Sequence, residues 1–286
     1  MIASDGAEAA YVHVPFCRHR CGYCNFTVVA DRADLVPAYL EALARELAGL
    51  GQPRQAKNPL VGGGKQAEVT PTELAATELA AFLELVVRWF PPRSSDPDAF
   101  AEFTVEANPN DLDEETLRVL AGAGVNRLSI GGQSFAAEKL KLLERDPTAE
   151  DVLRGVERAR RYMDAVALDL IFGVPGETSE GWREDLRRAI ELAPDHISTY
   201  GLTFERGTQF WSRQLHGDLA EIDEETSRTM YGDAIDTLTA AGYAHYEISN
   251  FALPGRRCRH NETYWTGGAY YAVGPGASRH LAGRRE

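Results

Sequence analysis

Three cysteines, Cys17, Cys21 and Cys24, are spaced C-x3-C-x2-C directly after a short β-branched run, Tyr11 to Pro15. This spacing constrains the chain more than any other feature, because the element before it must present three thiols on one loop. Only four cysteines are present in all, so the clustering suits a metal site in a reducing compartment better than a disulfide framework. A 4Fe-4S cluster has four irons and usually four thiolates, and three thiols on one loop leave one iron open to an outside ligand. On the residues alone, two other readings stand beside it. One is a zinc ion with His13 or His19 completing the set, and the other is three unrelated core thiols.

The rest of the chain alternates between short apolar runs and longer helical patterns. Strand candidates are Tyr11 to Pro15, a weak one near Leu60 and Val61, Glu102 to Glu106, Arg127 to Ile130, Val166 to Phe172 and His196 to Leu202. Helical patterns lie between them at 33–49, 72–89, 113–123, 148–162 and 179–192, each with an Asp, Thr or Ser near its start. The alternation predicts an α/β fold with a parallel sheet, and six repeats predict a partial, open barrel of six βα units. A polar stretch from Glu205 to Asp218 ends the pattern. Residues 1–205 are therefore expected to form the barrel, and 206–286 a C-terminal α+β extension with one helix over 224–241.

Of 286 residues, 44% are hydrophobic, enough to bury a large core. The formal net charge of −13 would repel a phosphate backbone, so nucleic acid is not an expected partner. No apolar run reaches the roughly 18 residues of a membrane span. Met1 to Ala10 also lacks the basic start and apolar stretch of a signal peptide. A cytoplasmic protein is expected.

Polar residues recur where strands end. Gly62, Gly63 and Gly64 follow the second strand, where missing side chains let backbone approach a ligand. Glu106 closes the third strand, Gln133 follows the fourth, and Asp169 interrupts the fifth. Each alone reads equally as a helix cap or a satisfied core polar group. Their recurrence at strand ends, where βα barrels gather their active sites, points to a ligand.

Taken together, the cysteine spacing, Tyr-Val-His-Val-Pro-Phe-Cys, Glu-Ala-Asn-Pro, Arg-Leu-Ser-Ile-Gly-Gly-Gln-Ser-Phe and Asp-Leu-Ile-Phe-Gly-Val-Pro-Gly resemble the oxygen-independent coproporphyrinogen III oxidase-like family of radical S-adenosylmethionine proteins. The resemblance covers nearly the whole chain. It implies that Cys17, Cys21 and Cys24 hold a 4Fe-4S cluster whose open iron is chelated by S-adenosylmethionine, and that one electron from the cluster cleaves the sulfonium to a 5′-deoxyadenosyl radical. It also implies that Tyr11, Tyr23, Gly63, Gly64, Glu106, Gln133, Arg145 and Asp169 contact that cofactor.

Two features choose a branch of the family. The decarboxylating dehydrogenase carries a further Cys two residues after the third cluster Cys, whereas Phe26 stands here. The segment Cys258-Arg-His260-Asn261-Glu-Thr-Tyr264-Trp265 resembles the H-N-x-x-Y-W signature of the heme chaperones, which implies heme as a ligand at His260. Tyr264 and Trp265 offer aromatic surface for a macrocycle, and Arg256, Arg257 and Arg259 could meet propionates. Without the resemblance the same residues read as a packed aromatic cluster beside a solvated basic turn, and Cys258 as a buried thiol.

The chain departs from the family where Lys65 to Val69 intervenes between the triple glycine and Thr70-Pro71-Thr72, which changes the local loop, and it ends soon after Gly274, where relatives continue into a further domain. The resemblance implies a heme chaperone with heme-accepting partners, including respiratory, membrane-associated ones, and an electron donor for the cluster. Catalytic turnover is not required by this reading. Porphyrinogen oxidation, or a radical reaction on another substrate, is the alternative. His260 is expected at the mouth of the barrel, near the strand ends.

Overall fold

The computed structural model describes residues 7–62, 71–92 and 100–286. Strand β1 (Ala9–His13) runs up the middle of the sheet and delivers the chain to two very short strands, β2 (Phe16–Cys17) and β3 (Val29–Ala30). These pair in parallel with each other, Phe16 against Val29 and Cys17 against Ala30, so the cysteine loop is pinched at both ends.

The remaining strands follow in the expected alternation. They are β4 (Asn58–Gly62), β5 (Thr104–Ala107), β6 (Arg127–Gln133), β7 (Ala165–Phe172) and β8 (His196–Gly201). Helices α1 (Val36–Ala48), α2 (Ala76–Trp89), α3 (Glu114–Gly122), α4 (Ala137–Leu142), α5 (Ala149–Ala159) and α6 (Ser179–Glu191) lie between them. Asp113, Thr148 and Thr178 accept from the first turns of α3, α5 and α6, satisfying N–H groups that helix geometry leaves unpaired. Pro59 sits inside β4 without breaking the sheet. It pairs only with Ala10 of β1, and pairing to β5 begins one residue later, at Leu60, so its missing N–H costs no bond to β5.

After β8 come α7 (Gln209–Leu215), α8 (Glu224–Ala240), β9 (Ala244–His245), β10 (Asn250–Ala252), α9 (Arg259–Trp265), β11 (Tyr270–Val273), β12 (His280–Leu281) and β13 (Arg284–Arg285). The sheet order is β13-β12-β11-β1-β4-β5-β6-β7-β8-β10-β9. β1 and β8 are therefore not bonded to one another, and the barrel is open, as the six βα repeats imply. The seven strands from β11 to β8 are parallel. β10 joins β8 antiparallel, with Phe251 opposite Ile197. Residues 206–286 thus lengthen the sheet at both edges and belong to the same core. Trp182, Leu186, Met230, Leu238 and Phe251 share one buried cluster drawn from β10, α6 and α8.

This shared core makes a prediction about cooperativity. Phe251 is fully buried and stacks on His245 at 4.4 Å. Phe251→Ala should cost about 3–5 kcal/mol and lower the denaturant midpoint of the whole chain in a single transition. A variant in which residues 206–286 melt first, leaving the remainder at its original midpoint, would show the extension to be an independent unit.

Candidate functional site

Because β1 and β4 to β8 all run the same way, their C-terminal ends share one rim of the barrel, and the cysteine loop follows β1 onto it. Cys21 and Cys24 are buried and Cys17 is half-buried. None of the four cysteines is in a disulfide. Cys24 N donates to Cys21 O at 3.0 Å, a tight turn joining the last two cysteines. The Cys17 thiol donates to His19 O at 2.8 Å and the Cys21 thiol to Glu144 O at 3.7 Å. Burial, and then the Glu73 carboxylate, push Cys17 up to about 12. Metal loading there must displace a proton and is favoured as pH rises.

The two histidines considered for zinc are otherwise engaged. His13 Nε2 donates to Thr27 O at 2.9 Å and His19 Nε2 to Glu144 O at 2.8 Å. Among the described residues no three His, Cys, Asp or Glu side chains gather round one point as a lone ion requires. A cubane takes each thiolate on a different iron, so its ligands stand further apart. Three undisulfided thiols on a loop pinched by β2 and β3 fit that group.

The polar residues singled out in the sequence line the interior and rim. Glu106, at the C-terminal end of β5, lies against Gly62. A Cβ at Gly62 would stand 2.1 Å from Glu106 Oε2, so only glycine leaves room for this carboxylate. Gln133 ends β6 fully buried, with φ +61, and Arg145 reaches back to donate to Gly131 O at 2.9 Å. Tyr11 OH donates to His13 Nδ1 at 2.9 Å, linking the interior of β1 to the cysteine loop through His13 and Thr27. The Tyr23 ring packs edge-on against Phe210 at 5.9 Å. Asp169 lies deeper, where Ser129 Oγ donates to its carboxylate at 3.1 Å. Gly63, Gly64 and the segment Lys65 to Val69 lie outside the described residues.

Several supports had no motif to reveal them. The C-terminal segment presses on the cysteine loop, since a Cβ at Gly274 would stand 2.5 Å from His13 O and one at Gly276 2.5 Å from Thr27 Oγ1. α7 packs there too, with Phe210 N donating to Gly22 O at 2.8 Å and a Cβ at Gly22 meeting the Phe210 ring at 2.6 Å. Tyr39 OH donates to His13 O at 2.7 Å. Lys139, Glu177 and Asp185 form a buried ionic group beside Gln133.

His260 is not at the mouth of the barrel. It lies at the opposite end, where Nδ1 donates to the carbonyl of Asn58, the first residue of β4, at 3.0 Å, and Nε2 accepts from Tyr264 OH at 2.7 Å. The Glu102 carboxylate, just before β5, accepts from the Cys258 thiol and from the backbone N–H groups of Arg259 and His260, capping α9. His260 is fully buried, and burial lowers its pKa, so the ring is neutral. The segment from Leu253 to Ala269 must pass from the β8 edge to the β1 edge, and doing so beneath the strands is what carries His260 to the base. With both nitrogens engaged, His260 presents no ligand to a heme iron in this conformation. Cys258 is a buried thiol that burial pushes up to about 12.

Burial raises the Asp169 carboxyl to about 6, against donation from Ser198 and Ser129 and the nearby Arg127. The unfolded carboxyl ionises at about 3.8, so between that pH and about 6 the folded chain binds the extra proton. Stability contributed by this group is therefore fully present at low pH and is lost as pH rises through the window. Asp169→Asn should flatten that part of the profile, read as urea midpoints across a pH series. An unchanged slope would assign it to another group.

Comparison with known proteins agrees with this geometry. Residues 11–189 match the radical SAM superfamily. The heme chaperone HemW of Lactococcus lactis is 38% identical over 279 residues, covering 97% of this chain and 71% of that protein. HemW of Bacillus subtilis is 38% identical, over 97% of this chain and 72% of its own. The mitochondrial radical S-adenosyl methionine domain-containing protein 1 of Danio rerio is 37% identical, and there the match spans only 61% of the relative. Among solved structures, the coproporphyrinogen III oxidase HemN of Escherichia coli superposes with a TM-score of 0.80 at 25% identity, over 97% of this chain and 65% of that one. The thiol loop on the rim, the open parallel barrel and these identities lead to one assignment: the chain belongs to the radical S-adenosylmethionine superfamily, and within it to the family of the HemW heme chaperones.

Proposed function

We propose that the protein is a heme chaperone that carries a 4Fe-4S cluster, binds S-adenosylmethionine and hands heme to acceptor proteins. The observation that carries this reading is the 38% identity to HemW heme chaperones over almost the entire chain, on a barrel whose rim presents three thiols on one loop. In this reading Cys17, Cys21 and Cys24 hold the cluster, and Tyr11, Tyr23, Gly63, Gly64, Glu106, Gln133, Arg145 and Asp169 hold the cofactor. When bound, the cluster would supply one electron to the cofactor's sulfonium. Glu106 and Asp169 supply negative charge inside the barrel and Arg145 positive charge near Cys17, while Phe204, Phe210, Tyr23 and Ile171 exclude water from the loop. An electron donor, and heme acceptors that include membrane-bound respiratory proteins, complete the proposal. Among the described residues no helix is long and apolar enough to cross a membrane.

Heme ligation by His260 through Nε2 would require Tyr264 OH to leave that nitrogen and α9 to move enough to expose the fully buried ring, while the Nδ1–H bond to Asn58 O can stay. Heme-dependent proteolysis within 255–268 is the mark of that route. Heme bound with no change in cleavage would place the iron on another side chain. The fold likeness to HemN favours porphyrinogen oxidation as the second reading, and conversion of coproporphyrinogen III to protoporphyrinogen IX by the purified protein would establish it.

The cluster assignment is tested by anaerobic reconstitution. Ser at Cys17, Cys21 or Cys24 should abolish iron binding and the broad visible absorption of the cluster, while Cys258→Ser retains both. Equal iron loss in all four variants would sink the assignment. In the unaltered protein, heme should titrate in with a distinct Soret band and pass to an apo-hemoprotein. Absence of binding would remove the chaperone reading and leave the cluster result standing.

A further inference from the structure

Gln133 ends β6 in the left-handed backbone region, φ +61, and is fully buried. A residue with a Cβ keeps that conformation only where its surroundings impose it, and such residues cluster at binding sites. Here the surroundings are specific. The pairing of β6 with β7 shifts register between Gly131 and Gln133, and Ser134 N donates to Gly132 O at 2.7 Å. Beyond the bend, Asp185 of α6 accepts from Ser134 Oγ at 2.7 Å and from Phe135 N at 2.8 Å. On the next strand Glu177 holds the turn after β7, accepting from Gly173 N at 2.8 Å and Val174 N at 3.0 Å.

Lys139 of α4 joins the two carboxylates. Its Nζ donates to Asp185 Oδ2 at 3.0 Å and to Glu177 Oε1, and it lies over the Trp182 ring, 5.1 Å from the centroid. The three side chains are 8%, 4% and 2% exposed for Lys139, Glu177 and Asp185, so nothing screens them. A buried ionic group of this kind is a poor way to add stability, because apolar residues of the same volume often do as well or better. It is a good way to fix one arrangement of two loops. Just beyond α4, Glu144 O accepts from His19 and from the Cys21 thiol, and Arg145 follows it, so the same segment also meets the cysteine loop.

We infer that Lys139 is a positioning residue for S-adenosylmethionine: through Asp185 and Glu177 it locks the loop after β6 to the turn after β7 and so holds Gln133 where it meets the cofactor. The inference rests on the cofactor site proposed above. It goes beyond that site in naming three residues that touch neither cluster nor cofactor and still set cofactor affinity.

The test uses the anaerobically reconstituted full chain. Lys139→Met should keep iron and sulfide per chain unchanged. Its dissociation constant for S-adenosylmethionine should rise about tenfold to a hundredfold, and the cofactor-dependent change in the reduced cluster's electron paramagnetic resonance spectrum should weaken. Lys139→Arg should recover part of the affinity. Because Lys139→Met leaves two buried carboxylates facing each other, Lys139→Met/Glu177→Gln, which preserves the net charge of the group, decides the matter if the single variant does not fold. It should bind the cofactor as weakly. A folded, cluster-loaded variant with unaltered affinity overturns the inference, as does a loss of affinity that only tracks loss of cluster. Absence of cofactor binding by the unaltered chain overturns the cofactor site and this inference together.

Discussion

The parallel hydrogen-bond ladder from β11 to β8 is the constraint on which everything else depends. Parallel strands need a crossover between each pair, so every helix returns the chain to the same end of the sheet and every strand finishes at the same rim. Loops far apart in sequence, after β1, β5, β6 and β7, are thereby brought to one rim, where contacts such as the Arg18–Asp111 pair and the Lys139 group then join them. The cysteine loop is the extreme case. Its three thiols are close in sequence, but the groups that press it into shape come from α1, the turn after α4, α7 and the C-terminal glycines. Damage to the ladder would scatter these supports, whereas damage to any one support leaves the rim in place.

An open barrel has two exposed edges, and exposed edges invite pairing with other chains. Here β10 covers β8 and β11 covers β1, both supplied by the segment after residue 206. The same segment fills the base through α9. That base is polar. Arg127 reaches Thr104, Glu102 caps α9, and His196 Nε2 meets Tyr246 OH at 2.9 Å. Buried polar groups are costly unless partnered, so mutual satisfaction is what keeps such an interior folded. Arg127 Nε, His196 Nδ1 and Asn58 Oδ1 are buried there and have no protein hydrogen-bond partner, so satisfaction at this end is incomplete.

The parts of the fold written in local chemistry were readable from the sequence. Alternating apolar runs located β5 to β8, and Asp113, Thr148 and Thr178 marked helix starts because capping depends on a few adjacent residues. The weak run at Leu60 proved to be β4, since the penalty of Pro59 vanishes where β5 has yet to begin. Beyond residue 206 the period located α8, expected over 224–241 and found at Glu224–Ala240, but α7 and α9 have seven residues each and β9 to β13 have two to four, too short for periodicity to show. The site divides the same way. Cys17, Cys21, Cys24, Glu106 and Gln133 stand at strand ends, where spacing exposes them, but Lys139, Glu177 and Asp185 lie on three elements and no spacing links them. Only the fold brings that charge group together.

His260 shows most plainly what a motif does and does not carry. The H-N-x-x-Y-W spacing puts His260 and Tyr264 four residues apart on one face of α9, which is why Tyr264 OH can reach Nε2 within the helix. The motif has therefore built its own hydrogen bond before any ligand is considered. Which end of the barrel the helix occupies is decided elsewhere, by the need to join an edge strand beside β8 to an edge strand beside β1. Glu102, placed by β5, then captures the helix N-terminus, with its carboxylate set against the positive end of the helix dipole. Through the Tyr11 ring, 6.4 Å from His260, and the Tyr11 bond to His13, the base is joined to the backbone of the cysteine loop at Thr27. A helix seated in this way is a structural element first, and a ligand that takes its imidazole through Nε2 must displace the Tyr264 hydroxyl.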